Sequence, residues 1–116
     1  MCLVVVGWHS HPDYPLVVAA NRDEFYRRPS AAAARWHEAG RIIAGRDLEA
    51  RGTWLGITDG GRFAAVTNVR EPGAVPGPRS RGDLTREFLA GSETPASYPA
   101  RVRSADFSGF NLLLAD

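Results

Sequence analysis

The sequence predicts an α+β domain in which a mostly antiparallel sheet is covered by helices. Three observations support this prediction: strand-like apolar runs recur within the first 68 residues, helix-like stretches follow them, and one further strand-like run comes after the helices. Strands grouped before helices are the order typical of α+β proteins. The 116 residues, 44% of them hydrophobic, are enough for one domain with a packed core.

A first hairpin is predicted at the start of the chain. Residues 2–8 are apolar and rich in valine, which is typical of a buried strand. Residues 9–15 contain two prolines and an aspartate and are predicted to form a turn, after which residues 16–20 form the second strand. The short connection makes the pair antiparallel, so the beginning of the first strand lies beside the end of the second.

A second hairpin is predicted further along the chain. Residues 26–41, rich in Arg and Ala, predict an ordered loop or a short helix, and residues 41–45 predict a short strand. Residues 46–52 are polar and turn-like. The hairpin itself is predicted over residues 53–68, because Asp59-Gly60-Gly61 separates two apolar runs.

Helices are predicted in the last third of the chain. Residues 70–81 hold several prolines and glycines and predict an irregular crossover. A helix is predicted over residues 83–90 with Asp83 as its N-cap, and a second helix over residues 95–104. Residues 110–115 predict a final strand. Because that strand has no partner after it, we expect residues 1–116 to be an incomplete domain.

Composition excludes several classes of function. The 14 basic residues are all arginine, so lysine Schiff-base chemistry and the P-loop lysine are absent. A net charge of +1 gives no electrostatic basis for nucleic-acid binding. One cysteine cannot form an internal disulfide, and no apolar run approaches a membrane span. We therefore expect a cytoplasmic protein with no nucleic-acid partner and no membrane span.

The single cysteine, Cys2, directly follows the initiator methionine. We expect Met1 to be removed, because aminopeptidases cleave it before a small second residue. Cys2 would then carry a thiol and a free α-amine, and both kinds of group titrate close to neutral pH. The amine can act as base for the thiol, so one residue supplies nucleophile and base. The alternative is that Cys2 is a small apolar residue packed at a strand start.

Two charged residues at the end of the second predicted strand favour the nucleophile hypothesis. The hairpin brings Arg22 and Asp23 towards Cys2. A guanidinium beside the sulfur favours the thiolate, and a carboxylate can hold an N-terminal ammonium by a charge-assisted hydrogen bond. The alternative is a polar turn with an internal ion pair of little energetic worth.

Asn68 is the third candidate group, at the end of the second hairpin. Its side-chain amide suits an oxyanion donor in acyl transfer, while a turn-forming asparagine is the alternative. His9 and His11 form an HxH pair without a third ligand at suitable spacing, so we interpret them as loop histidines. No glycine pattern matches a nucleotide-binding loop, and we expect no cofactor and no metal.

Four motifs, in order, carry a family resemblance: "MCLVVVGW", "PLVVAANRDEFYRRP", "AGRDLEARGTWLGIT" and "GRFAAVTNVREP". A later stretch, "GFNLLLAD", fits a further strand of the same family. Together they resemble the NRDE family, which is named for its tetrapeptide and includes the transport-and-Golgi-organisation proteins. The resemblance spans residues 1–72 and the last strand.

The family in turn resembles N-terminal-nucleophile (Ntn) hydrolases of the choloylglycine hydrolase and penicillin V acylase type. That resemblance implies a four-layer αββα fold and an N-terminal cysteine that attacks an amide. By position, Cys2, Arg22, Asp23 and Asn68 match the family's nucleophile, its two supporting residues and an oxyanion asparagine. It also implies that residues 1–116 are the N-terminal portion of a longer domain, whose second oxyanion asparagine lies beyond them.

Two functional hypotheses follow from these residues and from the resemblance. The first is an N-terminal-cysteine hydrolase of linear amide C–N bonds, acting on a small-molecule amide. The second is a non-enzymatic carrier or trafficking protein for an apolar small ligand such as haem, because family members have been linked to haem export and to lipid metabolism. Retention of Met1 would favour the second, since a blocked amine cannot serve as base.

Overall fold

The described part of the chain, residues 2–116 of a computed structural model, contains seven strands in two antiparallel sheets. Met1, whose removal we predict, lies outside the described residues. The smaller sheet pairs β1 (Leu3–His11) with β2 (Tyr14–Asn21). The larger sheet has the order β3-β4-β5-β6-β7. Its strands are β3 (Ser30–Arg35), β4 (Ile42–Asp47), β5 (Leu55–Thr58), β6 (Phe63–Asn68) and β7 (Phe110–Ala115).

The helices are α1 (Gly82–Ala90) and α2 (Tyr98–Arg101), followed by a 3₁₀ turn at Ser104–Asp106. No helix in residues 2–116 is long and apolar enough to cross a membrane. The predicted α+β class, with antiparallel pairing and both hairpins, is confirmed. The four-layer αββα arrangement stays a prediction.

The hydrophobic core lies between the helices and one face of the larger sheet. Phe88 of α1 is fully buried, and Leu89 on the same face is 2% exposed. They pack with buried residues of β4, β6 and α2, and the cluster comprises Trp36, Ile42, Ala44, Ala64, Phe88, Leu89 and Tyr98. Tyr98 donates its hydroxyl to the Leu84 carbonyl oxygen at 2.9 Å, which joins α2 to α1. This bond satisfies a polar group that would otherwise be costly to bury.

The opposite face of the larger sheet looks towards the β1–β2 hairpin. Because strand side chains alternate, Leu55 and Ile57 point away from the helix while Gly56 lies beneath Leu89. The hairpin and this face together line a cavity of about 380 Å³, whose lining residues are Leu16, Val18, Ala20, Trp54, Leu55, Ile57 and Phe63. The hairpin therefore lies opposite the face that the helices leave open but does not cover it completely, since Ile57 on that face is still 45% exposed.

The prediction of a loop or helix over residues 26–41 is wrong, because β3 occupies Ser30–Arg35. Its alanine-rich sequence favours a helix, but a helix of six residues is marginal without tertiary packing, and every residue of β3 is exposed. The strand instead pairs with β4, with Ser30 opposite Asp47 and Arg35 opposite Ile43. Backbone pairing at a sheet edge has overridden local propensity here.

Two predicted turns are shorter than expected. The turn predicted over residues 9–15 is limited to Pro12-Asp13, because β1 extends to His11 and β2 begins at Tyr14. His9 and His11 both lie in β1, and His11 pairs with Tyr14, so the interpretation of these two residues as loop histidines is wrong. Pro15 is tolerated within β2, since this strand has a neighbour on one side only and need not donate from every position. The other turn, predicted over residues 46–52, begins only after β4 has reached Asp47.

The helix starts also differ from prediction. The N-cap of α1 is Arg81, with no side-chain capping bond, and Asp83 lies inside the first turn, where it pairs with Arg86 at 3.0 Å. The second helix is four residues long rather than spanning residues 95–104. Pro99 lacks a backbone N–H and is accepted only at the first positions of a helix, and Val102 is already extended.

Candidate functional site

The register of the first hairpin determines where Cys2 lies. Leu3 pairs with Asn21, so the residues one step further, Cys2 and Arg22, belong to the same end of the two strands. The histidines His9 and His11 belong to the opposite end of the hairpin, next to its turn. The register therefore puts Cys2 and Arg22 at one end of the hairpin and both histidines at the other.

A cleft of about 810 Å³ opens at this end of the hairpin. All four residues predicted from the sequence, Cys2, Arg22, Asp23 and Asn68, line it. Cys2 is half-buried and is a free thiol. Asn68 reaches the cleft because β6 ends there, paired with Phe110 at the start of β7. Two separate sheets thus contribute to one site.

The side chain of Arg22 is held by carboxylates. Its Nη2 donates to Glu24 at 3.0 Å and to Asp47 at 3.4 Å. Arg28 donates through Nε to the same Asp47 oxygen at 2.8 Å, and this hydrogen bond raises the pKa of Arg28 above its ordinary value. A guanidinium bound in this way has a fixed position, which a catalytic or binding role requires.

Asp47 is the centre of this network and also shapes the loop after β4. One carboxylate oxygen accepts the backbone N–H groups of Glu49 and Ala50, each at 3.0 Å. Burial opposes ionisation of Asp47, but the hydrogen bonds from Ala50, Arg28 and Glu49 outweigh it, so the pKa of this carboxyl lies below its ordinary value. Asp47 therefore stays ionised at neutral pH and keeps both arginines in place.

The segment before α1 forms another part of the cleft lining. Arg81, the N-cap residue, donates through Nη1 to the Gly109 carbonyl oxygen at 2.9 Å. Burial lowers the pKa of the Arg81 guanidinium, and negative charge on Cys2 acts in the opposite direction. Cys2 and Arg81 line the same cleft, so charge on one acts on the other.

A close approach of two backbones fixes the start of α1 beside the cleft. A Cβ placed on Gly52 would come within 2.6 Å of the carbonyl carbon of Gly82. Thr85 of α1 also donates its hydroxyl to the Thr53 carbonyl oxygen. Only glycine allows the loop and the helix to meet at this distance, so Gly52 sets the position of Arg81.

Arg28, Asp47 and Arg81 are among the charged cleft residues that sequence reasoning missed. Arg28 and Asp47 were present in the motifs "NRDEFYRRP" and "AGRDLEARG", which the resemblance had already singled out. The signal that would have found them is charge complementarity between those two motifs. Arg81 had a weaker signal, its position immediately before a predicted helix.

The described residues hold no group of three or more His, Cys, Asp or Glu side chains arranged to bind a metal ion. What the geometry provides is a thiol, an amide and several guanidinium groups around one open cleft. Fold and site together define an antiparallel α+β protein with a cysteine-bearing cleft where its two sheets end.

Comparison with known sequences identifies the family. The sequence model of the Transport and Golgi organisation 2 family matches residues 1–116, the whole chain. The Transport and Golgi organization 2 homolog of Mus musculus is 39% identical over 125 residues, which cover 100% of this chain and 45% of the relative. The Transport and Golgi organization protein 2 of Drosophila melanogaster is 32% identical over 127 residues, with 97% and 45% covered.

The chain therefore belongs to the Transport and Golgi organisation 2 family. This confirms the resemblance to the NRDE family that the four motifs predicted. The chain spans about half the length of the curated relatives it matches, 45% for the mouse protein.

Proposed function

We propose that the protein is an N-terminal-cysteine hydrolase of linear amide C–N bonds. The observation that carries this proposal is the shared cleft: Cys2, Arg22, Asp23 and Asn68, from two different sheets, all line it. A thiol at the second position, a guanidinium, a carboxylate and an amide are the groups that acyl transfer needs.

In the proposed reaction Cys2 acts after Met1 has been removed. The α-amine accepts the thiol proton, and the sulfur attacks the amide carbonyl carbon to give a tetrahedral oxyanion. The C–N bond then breaks, the leaving nitrogen takes the proton from the ammonium, and a thioester remains on Cys2. Water attacks the thioester with the amine again as base, which releases the carboxylic acid and restores the thiol.

The other residues support this cycle. Arg22, held by Glu24 and Asp47, provides a fixed positive charge that favours the thiolate. Asp23 holds the ammonium, and the Asn68 side-chain amide donates a hydrogen bond to the oxyanion. Removing one oxyanion donor typically slows turnover by about 10²- to 10³-fold, so Asn68→Ala should show a loss of that size.

The decisive experiment measures the mass of the protein made in its native host, followed by thiol labelling at neutral pH. We expect loss of Met1 and fast labelling of Cys2. Arg22→Ala should slow the labelling, whereas Asp23→Asn should lose turnover on a model amide and keep most of the labelling. Retained Met1 together with labelling that Arg22→Ala leaves unchanged would refute the hydrolase proposal.

A carrier for an apolar ligand such as haem is the second proposal, and a different observation supports it. An apolar cavity of about 400 Å³ lies between the hairpin and the larger sheet. Trp8, Leu16, Phe63 and Leu113 are among its lining residues. Titration with haem, followed by Trp fluorescence quenching, tests this proposal, because Trp8 borders the cavity. Quenching that is the same in Leu113→Glu would count against binding in this cavity.

A cellular role and a location can be proposed from the family to which the chain belongs. Its description names transport and Golgi organisation, and the relatives carry that name. We propose a cytoplasmic role in such transport, with residues 1–116 as the N-terminal portion of an Ntn-like domain. Localisation of a fluorescently tagged protein to the cytoplasm would support this placement, and localisation to the lumen of an organelle would contradict it.

A further inference from the structure

One arginine of the cleft differs from the others in having no carboxylate partner within ion-pair distance among residues 2–116. Five described arginines line the cleft, and four described carboxylates do so; the full set is Arg22, Arg28, Arg46, Arg79, Arg81, Asp23, Glu24, Asp47 and Glu49. Four of these arginines form ion pairs: Arg22 and Arg28 with Asp47, Arg46 with Glu38, and Arg79 with Glu87. The remaining one is Arg81.

Arg81 has no carboxylate within ion-pair distance among residues 2–116. Its described hydrogen bond is the one from Nη1 to the Gly109 carbonyl oxygen. A guanidinium carries five N–H donors, so several remain available. Burial of a guanidinium without a carboxylate partner is unfavourable, and burial is the main cause that lowers the pKa of Arg81.

The neighbouring backbone does not supply a competing anion site. The Gly82 N–H donates to the Ser80 hydroxyl at 3.3 Å, and the Asp83 N–H donates to the Ser80 carbonyl oxygen at 3.0 Å. The Asp83 side chain adds negative charge in the first turn of α1. The backbone N–H groups of Gly82 and Asp83 are therefore already used, and the Arg81 side chain is the positive group of this segment that no carboxylate of residues 2–116 neutralises.

We propose that Arg81 binds an oxyanionic group, carboxylate or phosphate, of the ligand that occupies the cleft. This inference rests on the proposed function in one respect, since it assigns that group to the amide substrate of the hydrolase. Arginine suits the role because its planar fork matches the oxygens of either group. Arg81 is also held in advance by Gly109 and by the contact of Gly52 with Gly82, which lowers the ordering cost of binding.

The test uses Cys2 as a local reporter of charge. Iodoacetate and iodoacetamide alkylate a thiol in the same way: a C–S bond forms, iodide leaves and the thiol proton goes to solvent. They differ in charge, one being a carboxylate and the other neutral. Because the chain has a single cysteine, the mass increase reports on Cys2 alone. The ratio of the iodoacetate rate to the iodoacetamide rate at Cys2 is divided by the same ratio measured for glutathione. This division removes the difference in intrinsic reactivity between the two reagents.

We expect the normalised iodoacetate-to-iodoacetamide ratio to fall by about three- to tenfold in Arg81→Gln, the size expected for one charged contact in a half-buried site. Arg81→Lys should keep most of the preference. Arg79→Gln is the matched control, since Arg79 lines the same cleft but is paired with Glu87, and it should leave the ratio unchanged. An unchanged ratio in Arg81→Gln, or an equal fall in both variants, would overturn the proposal.

A second measurement uses the wild-type protein alone, so it tests oxyanion binding even if Arg81→Gln does not fold. Benzoate, phenyl phosphate and neutral benzamide are each tested for protection of wild-type Cys2 against iodoacetamide. Protection by benzoate or phenyl phosphate, but not by benzamide, supports the proposal and shows which oxyanion is preferred. Equal effects of all three, or none, overturn it. Neither measurement requires turnover or removal of Met1, so failure of the hydrolase proposal would remain distinguishable.

Discussion

The two sheets of the molecule are buried very differently, although the less buried one, the β1–β2 hairpin, has the longer strands. In the larger sheet β6 is buried on both faces, with Ala64 and Ala65 completely inaccessible. In the β1–β2 hairpin no residue is fully buried, and Leu3 is 61% exposed although it is as apolar as any core residue. The larger sheet with α1 therefore supplies the stability, whereas the hairpin supplies Cys2 and Arg22 to the cleft.

Apolar residues therefore occur in two different settings, packed in the core at β6 and exposed on the hairpin. Apolar residues of β6 are explained by the packing that surrounds them, because Ala64 lies in one buried cluster with Phe88 and Leu89 of α1, and Val66 lies in another with Leu84. The outward face of the hairpin, which includes Val5 and Val17, has no such explanation within the described residues. Substitutions of the same chemical kind in the two regions should therefore have unequal effects on stability.

The largest difference is expected for phenylalanine truncation. Phe88→Ala removes a fully buried ring that contacts Tyr98 edge to face and lies 3.9 Å from the Arg62 guanidinium. It should lower the free energy of unfolding by about 3–5 kcal/mol, measured by urea denaturation. The control is Phe25→Ala just beyond the hairpin, where the ring is 73% exposed and the change should stay within about 0.5 kcal/mol. Equal losses would contradict the division of roles.

Two glycine-to-alanine substitutions test whether the contact between Gly52 and Gly82 determines the position of the cleft residues. A methyl group on Gly52 would meet the backbone of Gly82 rather than a flexible side chain, so Gly52→Ala must displace the start of α1. We expect a loss of about 1–3 kcal/mol in thermal or urea unfolding, typical of overpacking, with altered labelling of Cys2. Gly40→Ala is the control, because a Cβ there has nothing within 4 Å. If Gly52→Ala unfolds like wild type, the close contact does not determine the site.

Asp47, at the end of β4 in the larger sheet, pairs with Arg22 at the end of the hairpin and so links the two regions. Its charge should make the free energy of unfolding depend on pH. Asp47→Asn keeps an oxygen for the N–H groups of Glu49 and Ala50 but loses the charge that holds Arg22 and Arg28. The pKa of Asp47 is lowered in the folded state, so its stabilisation is present above the unfolded value of about 3.9 and is lost as pH falls through the folded pKa. Wild type should therefore exceed Asp47→Asn by about 1–3 kcal/mol at pH 7.

Urea unfolding of both proteins between pH 2 and pH 7 measures this difference, which should shrink towards zero at the acid end. Asp13→Asn, at the exposed turn of the hairpin, controls for the loss of one negative charge. A constant difference across the whole range would mean that the loop, and not the charge, accounts for the stabilisation.

Elements of the fold could be predicted from the sequence where a local pattern of residues determines them. The Asp59-Gly60-Gly61 turn and the apolar runs around it predicted the second hairpin, and the valine-rich start predicted the first. Prediction failed for β3, because an exposed alanine-rich edge strand has no periodic signal and depends on β4 for its hydrogen bonds. It also failed for Asp47 and Arg81, whose importance arises from partners 25 and 28 residues away in the chain.

The smallest change in the free energy of unfolding is expected when valine is replaced by threonine in the hairpin. The same substitution in β6 provides the direct comparison between the two regions. Val5→Thr, on the outward face of the hairpin where the side chain is 56% exposed, keeps the β-branched shape and adds a hydroxyl that water can solvate. The free energy of unfolding should change by less than about 0.5 kcal/mol. Val66→Thr introduces the same hydroxyl into β6 at 4% exposure, where an unsatisfied polar group costs about 1–3 kcal/mol. Urea denaturation of both variants at pH 7 measures the contrast. If Val5→Thr proves as costly as Val66→Thr, the outward face of the hairpin is covered in solution, and the unequal burial of the two sheets does not hold for the protein in solution.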